Sequence, residues 1–432
     1  MTTRSATAAL RLHEAVPHGK IEILPTKPCA TATDLSLTYT PGAAAPCLAI
    51  RDNPDAAWRY TSRGNLIAVI TNGTAVLGLG NIGALAGKPV MEGKALLFKR
   101  FGGIDAIDLE LDTTDPERFC DAVSLMEPSF GGINLEDIRA PECFVIEECL
   151  RARMKIPVFH DDQHGTAGVV TAALQNALHL TGRRPDRTRV TISGAGAAGI
   201  AVAQMILQIG IRSDNLTLYD IHGVVYKGRQ AGTNRWLAPF ASSSPARTLA
   251  EALDGADVLI GVSAPRIVTP PMLAGMRPDP IVFALANPVP EIDPLLARKA
   301  RPDAIIATGR SDLPNQVNNL LGFPYLFRGA LDVRASTIDD TMKLAASTAL
   351  AKLARQPVPR SVLKAYGAQR LEFGREYLLP RPFDPRLLET VSSAVAIAAM
   401  KSGVAQAPID DPDAYRRRLK AAARHLAARF SA

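Results

Sequence analysis

The chain has 432 residues and a formal net charge of +7, which is too long for a single core and predicts two domains with room for a terminal extension. Hydrophobic residues make up 47% and charged residues 21%, an ordinary globular balance, and no window nears the roughly 18 apolar residues that span a bilayer. The N-terminus "MTTRSATAALRLHEAVPHGK" lacks a signal-type apolar centre, and the five cysteines are scattered without a CxxC pair, which argues against a disulfide framework and a thiolate metal site; the expectation is a cytoplasmic protein.

From about residue 64 onward, apolar runs of strand length alternate with helical stretches. The runs "NLIAVI", "IDAIDLEL", "IPVFHD", "RVTISGAG", "NLTLYD", "ADVLIGVS", "PIVFALANP" and "AIIATG" are rich in Val, Ile and Leu, as strands covered on both faces are. Helix candidates such as "TAGVVTAALQNALHL" and "AAGIAVAQMILQIG" lie between them. The alternation predicts parallel sheets and an α/β class.

Lys94 comes early, in "PVMEGKALLFKRF", among Val90, Met91, Ala95, Leu96 and Leu97. A lysine desolvated by such neighbours has a lowered pKa and can act as a base. On the residues alone, a lysine snorkelling from a helix is the favoured reading.

Two acidic pairs follow. "GGINLEDI" sets Glu136 and Asp137 after one short apolar run, and "IPVFHDDQHGTAG" sets Asp161 and Asp162 after another. Parallel sheets hold their ligand crevices at such strand ends. Clustered carboxylates repel unless a cation neutralises them, and all-oxygen ligands suit Mg²⁺ or Mn²⁺ better than zinc. The alternative is two unrelated surface pairs. His160 and His164, flanking the second pair, read as hydrogen-bonded structural groups.

"VTISGAGAAGIAVAQMIL" then spells GxGxxG with Gly194, Gly196 and Gly199. The pattern follows a β-branched strand and opens a helix, the context it needs to take a dinucleotide pyrophosphate; that ligand would lie along Gly194, Gly196, Ala197, Ala198 and Gly199. The next strand ends in Asp220, placed to bind a ribose hydroxyl. Further on, "ALANPVPE" and "ATGRSDLPNQVNNLLGFP" put Asn287, Asn318 and Asn319 in loops after apolar runs. Their amides suit a carboxylate or a nicotinamide amide, and equally a plain turn. The last hundred residues are mostly helical. The basic tail "YRRRLKAAARHLAARF" is expected to pack as an amphipathic helix with a solvated face, so neither nucleic acid nor membrane is expected as a partner.

Taken in order, "LSLTYTPG", "GTAVLGLGNIGALAGKPVMEGKALLFK", "INLEDIRAPECF", "IPVFHDDQHGTA", "ISGAGAAGIA", "FALANPVPEI" and "TGRSDLPNQVNNLLGFPYLFRGALDVRA" resemble the malic enzymes, specifically the short bacterial type. The resemblance runs from about residue 15 to the end. It implies an N-terminal substrate domain over 1–161, a Rossmann-like NAD(P)-binding domain over 162–318, and a helical part over 319–432 that returns to the substrate domain. It implies that Glu136, Asp137 and Asp162 hold Mg²⁺ or Mn²⁺, that Lys94 is the general base served by Asp161, and that Tyr39 is the general acid. Asn287, Asn318 and Asn319 match positions around substrate, and Asn287 also serves the cofactor. Some relatives carry a fused C-terminal phosphotransacetylase-like domain, which is not expected here. In the larger animal-type enzymes an arginine binds a malate carboxylate where this chain has Ala75, and relatives often show aspartate where it has Asn72.

The implied reaction is oxidative decarboxylation of L-malate to pyruvate and CO₂. A malolactic-type enzyme, releasing lactate without net redox change, and a non-catalytic homologue are the rivals. A homodimer or higher homo-oligomer is expected. For cofactor choice, Asp220 favours a ribose diol. NADP forms often carry serine and lysine just after it and another lysine later; here Ile221, His222 and Leu237 stand there, with Arg229 and Arg235 near enough to compensate. The expectation leans to NAD over NADP.

Overall fold

The computed structural model describes residues 3–310 and 312–430. Its α/β architecture rests on two sheets. The first has β1 (Leu66–Thr71), β2 (Asp105–Glu110), β3 (Gly132–Leu135) and β4 (Val158–His160), ordered β2-β1-β3-β4 with every pair parallel. The second has β5 (Val190–Ser193), β6 (Leu216–Asp220), β7 (Gly223–Val224), β8 (Val258–Gly261), β9 (Ile281–Ala284) and β10 (Ile305–Thr308), ordered β10-β9-β8-β5-β6-β7. It is parallel except for the short β6–β7 pair. The chain leaves β5 for β6 on one side and later places β8 on the other. That reversal makes the crevice at the C-terminal end of β5 the topological switch point, where doubly wound sheets bind ligands. β1, β3, β5, β8, β9 and β10 are buried almost throughout, which is why they read as unbroken apolar runs.

The helix Asp161–Thr181 joins the sheets. It starts directly after β4 and ends at Gly182, whose left-handed φ of 66° stops it. It packs on Ala197–Gln208 of the second sheet and on Asp340–Ala354 of the C-terminal helices, so one hydrophobic core runs through both halves. The C-terminal helices Phe323–Asp332, Asp340–Ala354, Arg386–Ser402 and Pro412–Arg429 pack in succession. In the last of these, Tyr415, Leu419, Ala423 and Leu426 are buried while Arg416, Arg417, Lys420 and Arg424 are exposed, the amphipathic packing expected of the basic tail. Among the described residues, no helix is long and apolar enough to cross a membrane.

Candidate active site

The carboxylates gather because parallel strands end side by side. β3 delivers Glu136 and Asp137, and neighbouring β4 delivers Asp161 and Asp162. Glu136, Asp137 and Asp162 each bring a carboxylate oxygen to within 4.8 Å of the others. The backbone holds them there: Asp137 adopts a positive φ of 54°, and its N–H donates to Asp162 Oδ2 at 2.8 Å. A non-glycine residue in that conformation is strained and persists only where its surroundings fix it.

Charge accumulates accordingly. Glu136 is buried and held well above the ordinary carboxylate range by that burial, with Lys94 opposing and Asp162, Asp161 and Asp137 adding to the rise. Asp137 is pushed up to about 8, first by burial and then by Asp162. Its Oδ2 is buried without a hydrogen-bond partner. An orphaned acceptor among crowded acids fits a hard divalent cation, which prefers oxygen ligands.

Lys94 rises from the helix Ala84–Leu97 into this cluster. Its Nζ lies 2.6 Å from Asp161 Oδ2, 2.9 Å from Glu136 Oε1 and 4.2 Å from the centre of the Phe323 ring. This corrects the expectation of a lowered pKa from apolar neighbours. Burial does push the ammonium down, but Asp161 and then Glu136 outweigh it and raise it. The cation–π contact adds to that hold.

Asp161 is fully buried, and Asn319 Nδ2 donates to the same Oδ2 that Lys94 engages. A Cβ on Gly165 would collide with Asp161 Oδ1 and come within 3.2 Å of Asn319. The glycine in "DDQHGTAG" is therefore required by the carboxylate lying across it. Behind the acids, Glu147 of the helix Glu142–Arg153 accepts from Gln163 Nε2 at 3.0 Å and contacts His164 Nε2 at 2.8 Å. Against its burial, His164 with His160 and Lys343 hold Glu147 down to about 2. His164 is thus a hydrogen-bonded structural group, as expected, whereas His160 departs from that expectation: it is fully buried and neither ring nitrogen has a hydrogen-bond partner among the described residues.

The second half of the site is the switch point of the nucleotide sheet. Gly194 has φ +113°, and a Cβ there would stand 2.5 Å from the Val262 carbonyl. A Cβ on Gly199 would strike the Gly194 carbonyl, whereas one on Gly196 would meet nothing within 4 Å. Two glycines are therefore packing requirements, and the middle one leaves open space at the N-terminus of Ala197–Gln208, the position at which dinucleotide-binding folds take a pyrophosphate. Asp220 ends β6, and Arg229 grips it with two bonds of 2.7 Å. Asn287 turns its backbone carbonyl toward Gly78, where a Cβ would lie 2.5 Å from that oxygen, while its side-chain amide lies against Gly309, where a Cβ would stand 2.9 Å from Nδ2.

The chain also matches known families. The family model "Malic enzyme, N-terminal domain" matches residues 18–151, and "Malic enzyme, NAD binding domain" matches residues 163–364. The chain belongs to the malic enzyme family. It is 57% identical to an NADP-dependent malic enzyme of Rhizobium meliloti over 98% of its own length and 55% of that protein's. It is 54% identical to an NAD-dependent malic enzyme of the same organism over 94% of its own length and 53% of that protein's. The chain thus spans about half the length of these curated relatives. The crystal structure of a malic enzyme from Pyrococcus horikoshii superposes with a TM-score of 0.87 at 42% identity, covering 98% of this chain and 95% of that one.

Within this malic enzyme fold the structure brings together Lys94, Glu136, Asp137, Asp161, Asp162 and Asn319. It does not bring Tyr39, which caps the C-terminus of Ala32–Thr38 and is 73% exposed. Asn318 turns its amide oxygen to the Leu320 N–H at 2.9 Å, capping the turn Asn319–Leu321. Glu291 went unread in "FALANPVPEI". It is fully buried and accepts from the Ser263 N–H at 2.8 Å and the Ala286 N–H at 3.0 Å, tying together the loops after β8 and β9. An acid buried in an apolar motif was the available signal, since such an acid must have partners. Gly165 and Phe323 were also missed, because their roles exist only once distant segments meet.

Proposed function

We propose that this chain carries out the metal-dependent oxidative decarboxylation of L-malate to pyruvate and CO₂ with reduction of NAD(P). The observation that carries this reading is the meeting of Lys94 with four carboxylates beside a glycine-lined dinucleotide crevice. Glu136, Asp137 and Asp162 would hold Mg²⁺ or Mn²⁺. When bound, such a cation polarises the hydroxyl and carboxylate it touches and offsets the negative charge that keeps Lys94 protonated. Lys94 Nζ, once neutral, would accept the C2 hydroxyl proton, and a nicotinamide held in the crevice along Gly194, Gly196 and Gly199 would supply the hydride acceptor. Asp161 and Asn319 fix the direction of Lys94. The β-keto acid then loses CO₂, and Tyr39 supplies a proton to C3.

Tyr39 must reach the site for that last step, and a partner chain is the simplest source. The N-terminal segment supports this: the helices Ala32–Thr38 and Ala44–Asp52 bury no residue of their own, and Leu35, Leu37, Tyr39 and Leu48 are exposed. A cluster of exposed apolar side chains marks an interface. We read the working unit as a homodimer. We also place the reaction in the cytoplasm, in keeping with five free cysteines.

For the cofactor, the leaning to NAD rested on Asp220 with Ile221, His222 and Leu237, against Arg229 and Arg235 near enough to compensate. Buried Arg229 neutralises Asp220, Leu237 is buried in the core, and Arg235 pairs with Glu148. Repulsion of a 2′-phosphate is thereby reduced, and we read NADP as accepted at least as well as NAD. A steady-state assay with L-malate, Mn²⁺ and each dinucleotide tests the whole reading. Equal amounts of pyruvate and reduced cofactor are expected. Lactate without net reduction would favour the malolactic reaction, and no turnover would overturn both.

A further inference from the structure

Cys120, on the helix Pro116–Ser124, and Cys149, on Glu142–Arg153, meet where these two helices pack. Cys120 Sγ lies 3.8 Å from the carbonyl oxygen of Ile146, which is about one helical turn before Cys149. The Cys120 sulfur thus sits against the turn of that helix that ends at Cys149. Cys120 is buried and Cys149 half-exposed. Arg153 follows Cys149 by one turn and bonds Asp121, next to Cys120, at 2.7 Å. That ion pair ties the helix turn after Cys149 to the helix that carries Cys120. A half-exposed thiol is the one an oxidant can reach, while a buried thiol is inert until a reactive sulfur is delivered to it.

We propose that Cys120 and Cys149 form a peroxide-sensitive thiol pair that closes to a disulfide and, through the helix carrying Cys149, restrains both halves of the site. The Cys149 thiolate attacks one oxygen of hydrogen peroxide and the O–O bond breaks. Hydroxide leaves and takes up the proton that Cys149 released, giving water and a sulfenic acid. The Cys120 sulfur then attacks the Cys149 sulfur. Hydroxide leaves again and takes the Cys120 proton, giving the disulfide and a second water. Two thiols are oxidised by two electrons, and one peroxide is reduced to two waters.

The position gives this chemistry reach. Glu147, two residues before Cys149, braces Gln163 and His164 beside Asp161 and Asp162. Glu148 accepts from Trp236 Nε1 of the nucleotide domain at 2.6 Å, and Phe144 lies against the Trp236 ring at 4.9 Å. Closing the pair brings its sulfurs to about 2 Å. The shift passes along one helix to the acid cluster and to the domain contact.

The test uses the full chain with the exposed Cys29 and Cys47 replaced by serine, leaving Cys120, Cys143 and Cys149 of the five. After peroxide, titration in denaturant should find one free thiol in place of three, and peptide mapping a Cys120–Cys149 link. Malate turnover should fall about tenfold or more, since small displacements of a positioned site cost up to about 10²-fold. Dithiothreitol should restore it. Cys149→Ser should resist peroxide. In Cys120→Ser, Cys149 should be trapped by dimedone as the sulfenic acid; should that variant not fold, Cys149→Ser alone carries the control. Sulfinic acid at Cys149 with Cys120 still free, or a link with unchanged turnover, would overturn the proposal. The turnover arm rests on the function proposed above, whereas the covalent arm does not. If the reduced protein is inert toward malate, that function fails instead. Trp236 emission in a Trp58→Phe background then reads the effect on the domain contact, and an unchanged spectrum after linking overturns the restraint.

Discussion

Lys94 leaves an apolar stretch of helix and ends between two carboxylates and an aromatic face. Local sequence describes only the first part of that path, so the lowered pKa it suggests is reversed by Asp161 and Glu136, which the chain supplies much later. Replacing Lys94 with alanine should lower kcat by 10²–10⁴-fold, the usual loss with a general base. A variant keeping more than about a tenth of wild-type kcat would refute that role. Gly165→Ala should do comparable damage without removing any reacting group, because its methyl would occupy the space of Asp161 Oδ1. A near-normal Gly165→Ala enzyme would show that Asp161 can move without cost. Asp137 gives the pH dependence. Its folded pKa of about 8 lies above the ordinary value, so without a cation the folded protein holds a proton there that the unfolded chain has released. Its contribution to stability therefore falls as pH rises from about 4 to about 8. A divalent cation takes that proton's place, so Mn²⁺ should bind more tightly as pH rises through the same window. The gain in Tm on adding Mn²⁺ should be larger at pH 8 than at pH 6, and EDTA should abolish it. Equal gains at both pH values would count against these three residues as the ligands.

Strands and long helices were legible because each repeats one environment over several residues. β5, β8 and β9 are covered on both faces and read as continuous apolar runs, and Ala197–Gln208 announces itself by the glycine turn before it. The short N-terminal helices were not legible, since few residues define them and none of those residues is buried; the π turn Phe98–Gly102 was not legible because it follows a helix without a break and its packing, Phe98 on Phe323 and Phe327, comes from distant residues. Loop partnerships were least legible. Arg229 and Asp220 lie nine residues apart across an irregular segment, and only the fold shows that they pair rather than compete for a ligand. The pairing makes a prediction. Arg229→Met should free the Asp220 carboxylate and lower kcat/KM for NADP relative to NAD by about tenfold, the scale of one close charge. An unchanged ratio would remove Asp220 from cofactor choice. Glu291 acts on the same crevice from below. Glu291→Ala strands the Ser263 and Ala286 N–H groups, each worth roughly 1–3 kcal/mol when buried and unpaired. KM for the dinucleotide should rise more than kcat falls. Glu291→Gln, which keeps one acceptor oxygen, should recover part of the loss.

At the scale of the whole molecule the question is where Tyr39 does its work. Within one chain it stands on an exposed arm, whereas Lys94 and its carboxylates are buried. A dimer with two-fold symmetry resolves this if each arm crosses to the other protomer, since symmetry then completes both sites at once. Scattering at working concentration should give about twice the 46.1 kDa chain mass. A stronger test mixes two inactive variants. Lys94→Ala chains keep Tyr39, and Tyr39→Phe chains keep Lys94. If Tyr39 serves the partner's site, each mixed dimer holds one site with both groups intact and one with neither. Random exchange makes half the dimers mixed, so activity should return to about a quarter of wild type under that symmetry. If Tyr39 serves its own chain, every site lacks one group and mixing restores nothing. Recovery near a quarter therefore assigns the acid to the partner. With subunit exchange confirmed independently by mass, absence of recovery returns Tyr39 to its own chain and requires the arm to fold over the acid cluster instead.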